Sequence, residues 1–214
     1  MSIITKSEIL FEKFCEELEI SVERISTGDK QTPDHFIFPD NNKIVVEIKQ
    51  IDPNPDELKI QKTKKGVYRI TPGQRVRKKI SAANPQLKAL SQGEYPSILV
   101  VFDNVAHILH TDRDEIKVAM YGLQQITLAL PNTSLSEPYI KKSALGPRKR
   151  FTENHNTSTS AVAVLYEDYA NANALNLDVY HNSYAAVKLR PDALRYKSIK
   201  HFTLSDALPE WKEV

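Results

Sequence analysis

Hydrophobic positions in the first part of the chain follow helical spacing and then the alternation typical of β-strands. Residues 6–19 form one apolar stripe at helical spacing, which predicts a first helix. Thr5 is its expected N-cap, and Glu8 at the third helical position completes a capping box. Residues 21–26 are then predicted to form a short strand.

A β-hairpin is predicted next. Two short apolar runs, His35–Phe38 and Ile44–Ile48, flank the polar segment Pro39–Asn42, and such a turn between β-branched and aromatic runs indicates a hairpin. If Phe38 and Lys43 close a four-residue loop, paired residue numbers sum to 81, and a two-residue loop gives the same register. Both faces of this strand pair are largely apolar, so we predict that it lies inside a sheet.

The apolar pattern then predicts a second long helix and a buried strand. Thr71 and Pro72 are suited to the N-cap and first position of that helix, while Pro85 predicts a kink or a break. Residues 52–66, rich in Pro, Lys and Asp, predict a solvated loop with room for a short helical turn. The almost wholly apolar run Ser97–Asp103 predicts a central strand buried on both faces.

The pattern is weaker beyond residue 104. Residues 112–121 predict a helix that ends at Gly122, and three further strands are expected, at 126–130, 160–166 and 177–180. Residues 131–160 lack clear periodicity but contain a group of basic residues: Lys141, Lys142, Arg148, Lys149 and Arg150. A flexible arm that contacts phosphates and a surface insertion are equally open interpretations. The last thirty or so residues are expected to be irregular, with Trp211 packing the end onto the body.

Composition and charge restrict the class of protein. A chain of 214 residues with 41% hydrophobic and 26% charged residues suits a single globular domain. The net charge of +2 gives no general affinity for polyanions, so any nucleic-acid surface must be a local patch. The single cysteine, Cys15, excludes an internal disulfide and a cysteine-based zinc site, and we assign it to the core. The absence of a recognisable signal peptide or a long apolar run favours a cytoplasmic protein without membrane contact.

Candidate chemistry is concentrated at one end of the predicted hairpin. In the derived register Asp34 lies opposite Glu47, with Cβ atoms about 4.5–5.5 Å apart, and Lys49 shares the face of Glu47. Charges in apolar surroundings are unfavourable unless they are paired or bind a metal, and two carboxylates suit Mg²⁺, with Mn²⁺ as a substitute. A nearby ammonium can stabilise developing negative charge. A simple salt bridge near a strand end is the alternative, but the register and surroundings favour a site.

The second helix carries polar residues along one border of its apolar stripe: Arg75, Lys79 and Gln86. A solvated basic face and an edge that contacts phosphates are equally open interpretations of this border. His35 is expected to point to the face opposite Asp34, so we do not assign it as a catalytic base.

The order helix, three strands, helix, strand, with Pro-Asp and Glu-Ile-Lys on the second and third strands, resembles the PD-(D/E)xK nuclease superfamily. The resemblance covers roughly residues 6–103 and implies a restriction-endonuclease-like αβββαβ core, with a mixed sheet flanked by helices and an α/β extension after it. It implies that Asp34, Glu47 and Glu8 bind Mg²⁺ and that Lys49 assists catalysis.

The N-terminal half is also similar to archaeal Holliday-junction resolvases, in which a Glu opens the first helix and an Arg occupies the first strand; Glu8 and Arg24 match these. Glu12 remains open as the acidic residue of the first helix, although the resemblance favours Glu8. Gln86 lies where the superfamily often has a polar residue near the site. The segment 104–214 has no counterpart in those small resolvases, so junction specificity is not implied.

These observations predict a Mg²⁺-dependent nuclease, specifically a DNA endonuclease. The predicted catalytic residues are Asp34, Glu47 and Lys49, and nucleic-acid contacts are predicted for Arg75, Lys79 and Gln86. A homodimer is expected, because cutting both strands of a duplex commonly requires two active sites. The alternative is a non-catalytic nucleic-acid-binding or scaffold protein on the same fold.

Overall fold

The chain folds as a mixed α/β protein in which helices flank a large mixed sheet. The computed structural model describes residues 4–26, 32–66, 71–91, 93–105, 111–130, 137, 139–171, 174–205 and 209–214. Its helices are α1 (Lys6–Glu17), α2 (Pro55–Thr63), α3 (Gln74–Ser91) and α4 (Arg113–Tyr121). Its strands are β1 (Ser21–Arg24), β2 (His35–Phe38), β3 (Ile44–Ile51), β4 (Ser97–Asp103), β5 (Gln124–Ala129), β6 (Tyr139–Leu145), β7 (Ala161–Asp168), β8 (Ala174–His181), β9 (Ile199–Leu204) and β10 (Trp211–Glu213).

The large sheet has the strand order β1-β2-β3-β4-β7-β8-β9-β10. Strands β1, β2 and β3 are antiparallel neighbours, whereas β3, β4 and β7 run parallel. The carboxyl ends of these three parallel strands therefore meet at one edge of the sheet. Strands β5 and β6 form a separate antiparallel pair.

The alternation of residues along β3 divides the core into two layers. Val46 and Ile48 face α1, where they join a cluster with Phe11 and Phe14. Val45 and Ile51 face the opposite side, in a second cluster with residues of α3 and α4. Because successive strand residues point to opposite faces, Glu47 and Lys49 share the face of Val45 and Ile51, which α3 covers.

Several predicted elements are confirmed. All seven residues of β4 are buried, as expected for a central strand. Helix α4 begins after the N-cap Asp112 and ends at Gly122. The end of the chain packs back through Trp211, whose ring lies 4.9 Å from that of Tyr180. No helix in the described ranges is long and apolar enough to cross a membrane.

The predicted break at Pro85 is wrong, because α3 continues through this residue to Ser91. Proline removes one backbone hydrogen bond from a helix. The fully buried stripe of α3 on the sheet, which includes Val76, Ile80 and Leu87, offsets that loss, since most helical stability in proteins comes from packing.

Three regions predicted to be largely irregular contain regular elements. The segment 52–66 contains the nine-residue helix α2, which Asn54 and Glu57 cap. Of the residues 131–160, the part 139–145 forms β6, while 131–136 and 138 lie outside the described residues. The last thirty residues contribute β9 and β10, whose short runs gain their hydrogen bonds only from neighbouring strands.

Candidate active site

The hairpin of β2 and β3 brings Asp34 beside Glu47. The observed pairs His35↔Val46 and Phe36↔Val45 confirm the predicted register. Asp34 directly precedes β2, and its Oδ2 accepts a hydrogen bond of 2.7 Å from the backbone N–H of Ile48. The carboxylate of Asp34 is thereby fixed against β3, next to Glu47.

Glu47 is a fully buried carboxylate, and few neighbouring groups offset the unfavourable burial of its charge. Its Oε1 forms an ion pair with Nζ of Lys49, whose side chain is 25% exposed. Its Oε2 has no hydrogen-bond partner among the described residues. Burial, followed by the charge of Asp34, raises the pKa of Glu47 to about 7, although Lys49 opposes this shift. Burial likewise raises the pKa of Asp34. Both carboxylates would therefore be stabilised by an additional cation.

The two acidic candidates of α1 have different partners. Oε2 of Glu8 accepts hydrogen bonds of 2.6 Å from the backbone N–H and the hydroxyl of Thr5, which confirms the predicted capping box. Glu12 instead forms an ion pair with Arg24 and a 2.6 Å contact with Nε2 of the buried His35. The charge of Glu8 contributes to the raised pKa of Asp34. Glu8 therefore acts electrostatically on the site, whereas Glu12 is occupied by Arg24 and His35.

The carboxylates of Asp34 and Glu47 are oxygen ligands of the type that hard divalent cations prefer. Within the described ranges, no group of three or more His, Cys, Asp or Glu side chains is arranged to hold a metal ion. Mg²⁺ is commonly held by only one or two carboxylates and keeps several waters. The unpartnered Oε2 of Glu47 and the raised pKa values of both carboxyls fit such a two-carboxylate site.

An open groove of about 1000 Å³ lies between α2 and α3, at the end of β3. Its charged lining residues are Asp52, Asp56, Lys59, Lys65, Arg75, Lys78 and Lys79. Burial lowers the pKa of Lys79, and the charges of Lys49 and Arg75 lower it further. Lys79 is thus close enough to Lys49 for the two charges to interact. Basic side chains outnumber the acidic ones, so the groove suits an anionic ligand.

Two of the residues predicted to bind nucleic acid also have structural contacts. Nη2 of Arg75 donates to the carbonyl of Asp52 over 3.1 Å and pairs with the fully buried Glu57. Nε2 of Gln86 donates to the carbonyl of Thr32 over 3.1 Å. Arg75 therefore connects α2 to α3, and Gln86 stabilises the backbone at Thr32, two residues before Asp34. Sequence reasoning missed both contacts, since they join segments far apart in the chain.

Two of the basic residues after β6, Arg148 and Arg150, lie close enough to α3 to act on Arg77. Lys141 is exposed on β6, and the exposed Arg148 follows that strand. The charges of Arg148 and Arg150 help to lower the pKa of the buried Arg77, after burial itself. Nη1 of Arg77 donates to the carbonyl of Val118 over 3.3 Å, which connects α3 to α4. Arg77 is thus the contact between α3 and α4, and Arg148 and Arg150 lie near it.

Comparison with protein-family models, with curated proteins and with solved structures found no match for this chain. The candidate site is therefore defined by its own residues. Its centre is the pair Asp34 and Glu47 with Lys49, and the groove that contains Lys79 begins at Ile51, two residues after Lys49 on β3.

Proposed function

We propose that the protein is a Mg²⁺-dependent nuclease of restriction-endonuclease-like fold that hydrolyses phosphodiester bonds in DNA. The observation that carries the proposal is the fully buried Glu47, which lies beside Asp34 and forms an ion pair with Lys49. A carboxyl whose pKa is strongly raised by burial and by a second carboxylate, as that of Glu47 is, is typical of functional sites. A homodimer would bring two such sites to a duplex.

Asp34 and Glu47 would hold Mg²⁺ or Mn²⁺, and Glu8 would add negative charge beside them. A bound divalent cation polarises the scissile phosphate and lowers the pKa of a bound water. Asp34 is fixed for this role by the backbone N–H of Ile48. Gln86 supports the same geometry, because it holds the carbonyl of Thr32 two residues before Asp34.

Lys49 would stabilise negative charge on the phosphate. Its ammonium forms an ion pair with Oε1 of Glu47, but the side chain remains partly exposed. It can therefore also contact an anionic oxygen in the solvent-facing part of the site. Lys79 and the neighbouring basic residues of the groove would bind backbone phosphates. Such contacts give affinity without reading bases.

The experiment that tests the proposal is incubation of the protein with Mg²⁺ or Mn²⁺ and a panel of substrates. The panel contains linear, supercoiled, single-stranded and branched DNA, and matched RNA. We expect cleavage of at least one DNA substrate, which EDTA should abolish and excess metal should restore. Failure to cleave any member of the panel with either metal would contradict the proposal.

A non-catalytic nucleic-acid-binding protein is the second candidate. It is favoured by the involvement of Glu8 in the capping box and by the lack of a three-ligand metal group among the described residues. Calorimetric titration separates the two candidates. Tight DNA binding without any detectable binding of Mg²⁺ or Mn²⁺ would favour the second, whereas metal binding that requires Asp34 and Glu47 would favour the nuclease.

A further inference from the structure

A cavity of about 530 Å³ opens at the carboxyl ends of the parallel strands β4 and β7. It shares no described lining residue with the groove that contains Lys79. Its volume falls within the range of small-molecule sites, about 300–1,000 Å³. The carboxyl ends of parallel strands are also a common place for ligands. The cavity is therefore a candidate ligand site separate from the groove.

The lining of this cavity is strongly acidic. Five carboxylates line it, from β4, β7, β8 and the start of α4: Asp103, Asp112, Glu167, Asp168 and Asp178. Arg113 is the one basic residue among the described lining residues. Lys6, outside the lining, compensates one acid, since its Nζ lies 3.8 Å from Oε2 of Glu167. The remaining excess of negative charge favours a cationic ligand and disfavours an anionic one.

Asp178 is a buried carboxylate that forms no short hydrogen bond with a described residue. It is 8% exposed and lines the cavity. Its oxygens lie 3.5 Å from the hydroxyl of Tyr166, 3.4 Å from that of Tyr180 and 3.7 Å from Nη2 of Arg113. Such contacts are usually roughly 2.7–2.9 Å long. Burial raises the pKa of Asp178, although the charges of Arg113 and Lys200 oppose this shift. A cation with N–H donors can therefore supply the short hydrogen bonds that Asp178 lacks.

Two further lining carboxylates are held by neutral donors. Asp112 caps α4 by accepting a hydrogen bond of 2.7 Å from the backbone N–H of Glu115. Asp168 accepts one of 3.0 Å from the backbone N–H of Ala170. Neutral donors orient a carboxylate but leave its negative charge in place. Asp112 and Asp168 therefore add to the attraction of a cation into the cavity.

The carboxylates are spread along the cavity. Asp178 pairs with Val164 in the register of β7 and β8, and Asp168 lies four residues further along β7. Four strand residues span roughly 13 Å. Within the described ranges, no three His, Cys, Asp or Glu side chains converge as a metal site. An extended cation with separated charges fits this arrangement better than a metal ion does.

We propose that this cavity binds a linear polyamine cation such as spermidine. One ammonium group donates to Asp178, and another lies near Asp168. The methylene segments contact the apolar lining residues, which include Phe102, Val164 and Leu165. The proposal does not rest on the nuclease activity, because it uses none of the residues assigned to that site.

Fluorescence titration of the full chain tests the proposal. Trp211 is the only tryptophan of the chain, its Nε1 donates to the carbonyl of Arg113, and its ring lies 4.9 Å from that of Tyr180. We expect spermidine to change the emission of Trp211 saturably. It should bind roughly tenfold or more tightly than butylamine, which has a single ammonium group and makes fewer charge-assisted hydrogen bonds. Absence of saturable binding, equal affinity for the two amines, or the same change with Mg²⁺ alone would overturn the proposal.

Substitutions of opposite effect locate the site. Asp178→Asn should weaken spermidine binding roughly tenfold, whereas Arg113→Gln, which removes the cation of the lining, should strengthen it severalfold. Asp114→Asn is the matched control, since its side chain is 81% exposed on α4 and does not line the cavity; the affinity should stay unchanged. Retained affinity in Asp178→Asn, or weaker binding in Arg113→Gln, would overturn the assignment. If Asp178→Asn does not fold, the direction of the change in Arg113→Gln still decides.

Discussion

Glu47 and Lys49, two residues apart on β3, form an ion pair in which the carboxylate is fully buried and the ammonium is one-quarter exposed. Residues at this spacing share one face of a strand, so the pair follows from strand geometry. A buried charge pair is generally no more stable than apolar residues of similar size. The burial of Glu47 beside Asp34 is therefore better explained by function than by stability.

Glu47→Gln should stabilise the fold at high pH. The pKa of Glu47 is about 7 in the folded protein against an ordinary value of 4.5, so its ionisation weakens folding as the pH rises through this interval. At pH 8 we expect the free energy of unfolding of the variant to be roughly 1–3 kcal/mol higher than that of the unmodified chain. The difference should shrink at pH 5, where Glu47 is protonated in the fold. Urea unfolding at both pH values measures the two free energies. A Glu47→Gln variant that is less stable than the unmodified chain at pH 8 would contradict the raised pKa of Glu47.

Mg²⁺ should raise the melting temperature more at pH 8 than at pH 6. Metal binding requires the ionised carboxylates, so a cation must displace a proton from Glu47 near and below pH 7. A ligand that binds only the folded state stabilises it. Thermal unfolding with and without Mg²⁺ measures the effect, with Asp34→Asn as the control that should show little shift. Equal shifts in the control and the unmodified chain would place the bound metal elsewhere.

Substitutions of Glu8 separate its capping role from its charge. Glu8→Gln keeps a side chain that suits a capping box, whereas Glu8→Ala removes it and should destabilise the fold by about 1 kcal/mol. We expect Glu8→Gln to keep the stability but to bind Mg²⁺ more weakly. Calorimetry measures this against Glu16→Gln on the exposed side of α1, which should behave as the unmodified chain. Unchanged Mg²⁺ affinity in Glu8→Gln would show that Glu8 caps the helix but does not contribute to metal binding.

Lys79→Ala should weaken DNA binding without loss of stability. Lys79 lies in the groove and forms no ion pair with another described residue, so its ammonium is available to a phosphate. Loss of one phosphate contact should reduce the slope of log affinity against log salt concentration by about 1. Fluorescence anisotropy over a range of salt concentrations measures the slope. Lys13→Ala, on the exposed side of α1, is the control that should leave it unchanged.

Arg75→Ala should destabilise the fold, unlike Lys79→Ala. The substitution leaves the fully buried Glu57 without its ionic partner. Removal of one member of a buried ion pair commonly costs about 3–5 kcal/mol. We expect a loss of that order in the free energy of unfolding, measured in urea. A stable Arg75→Ala variant with weaker DNA binding would instead assign Arg75 to nucleic-acid contact alone.

The sequence predicted the centre of the candidate site better than its surroundings. The register of Asp34 and Glu47 follows from a short turn and strand alternation, which are local properties. The helix α2 was underestimated, although Asn54, Pro55 and Glu57 give it a local start signal. Only the contact of Glu57 with Arg75 on another helix depends on the tertiary fold. The cavity at Asp178 could not be predicted either, since it is formed by residues from distant strands.

Nicking of a supercoiled plasmid in Mg²⁺ is the measurement that tests the central claim most directly. The comparison includes the unmodified chain, Asp34→Ala, Lys49→Ala and the control Lys13→Ala, with circular dichroism to verify that each is folded. We expect the unmodified chain and Lys13→Ala to convert supercoiled plasmid to nicked or linear forms, and the other two variants to be inactive. Full activity in folded Asp34→Ala or Lys49→Ala would contradict the assignment of these residues to catalysis.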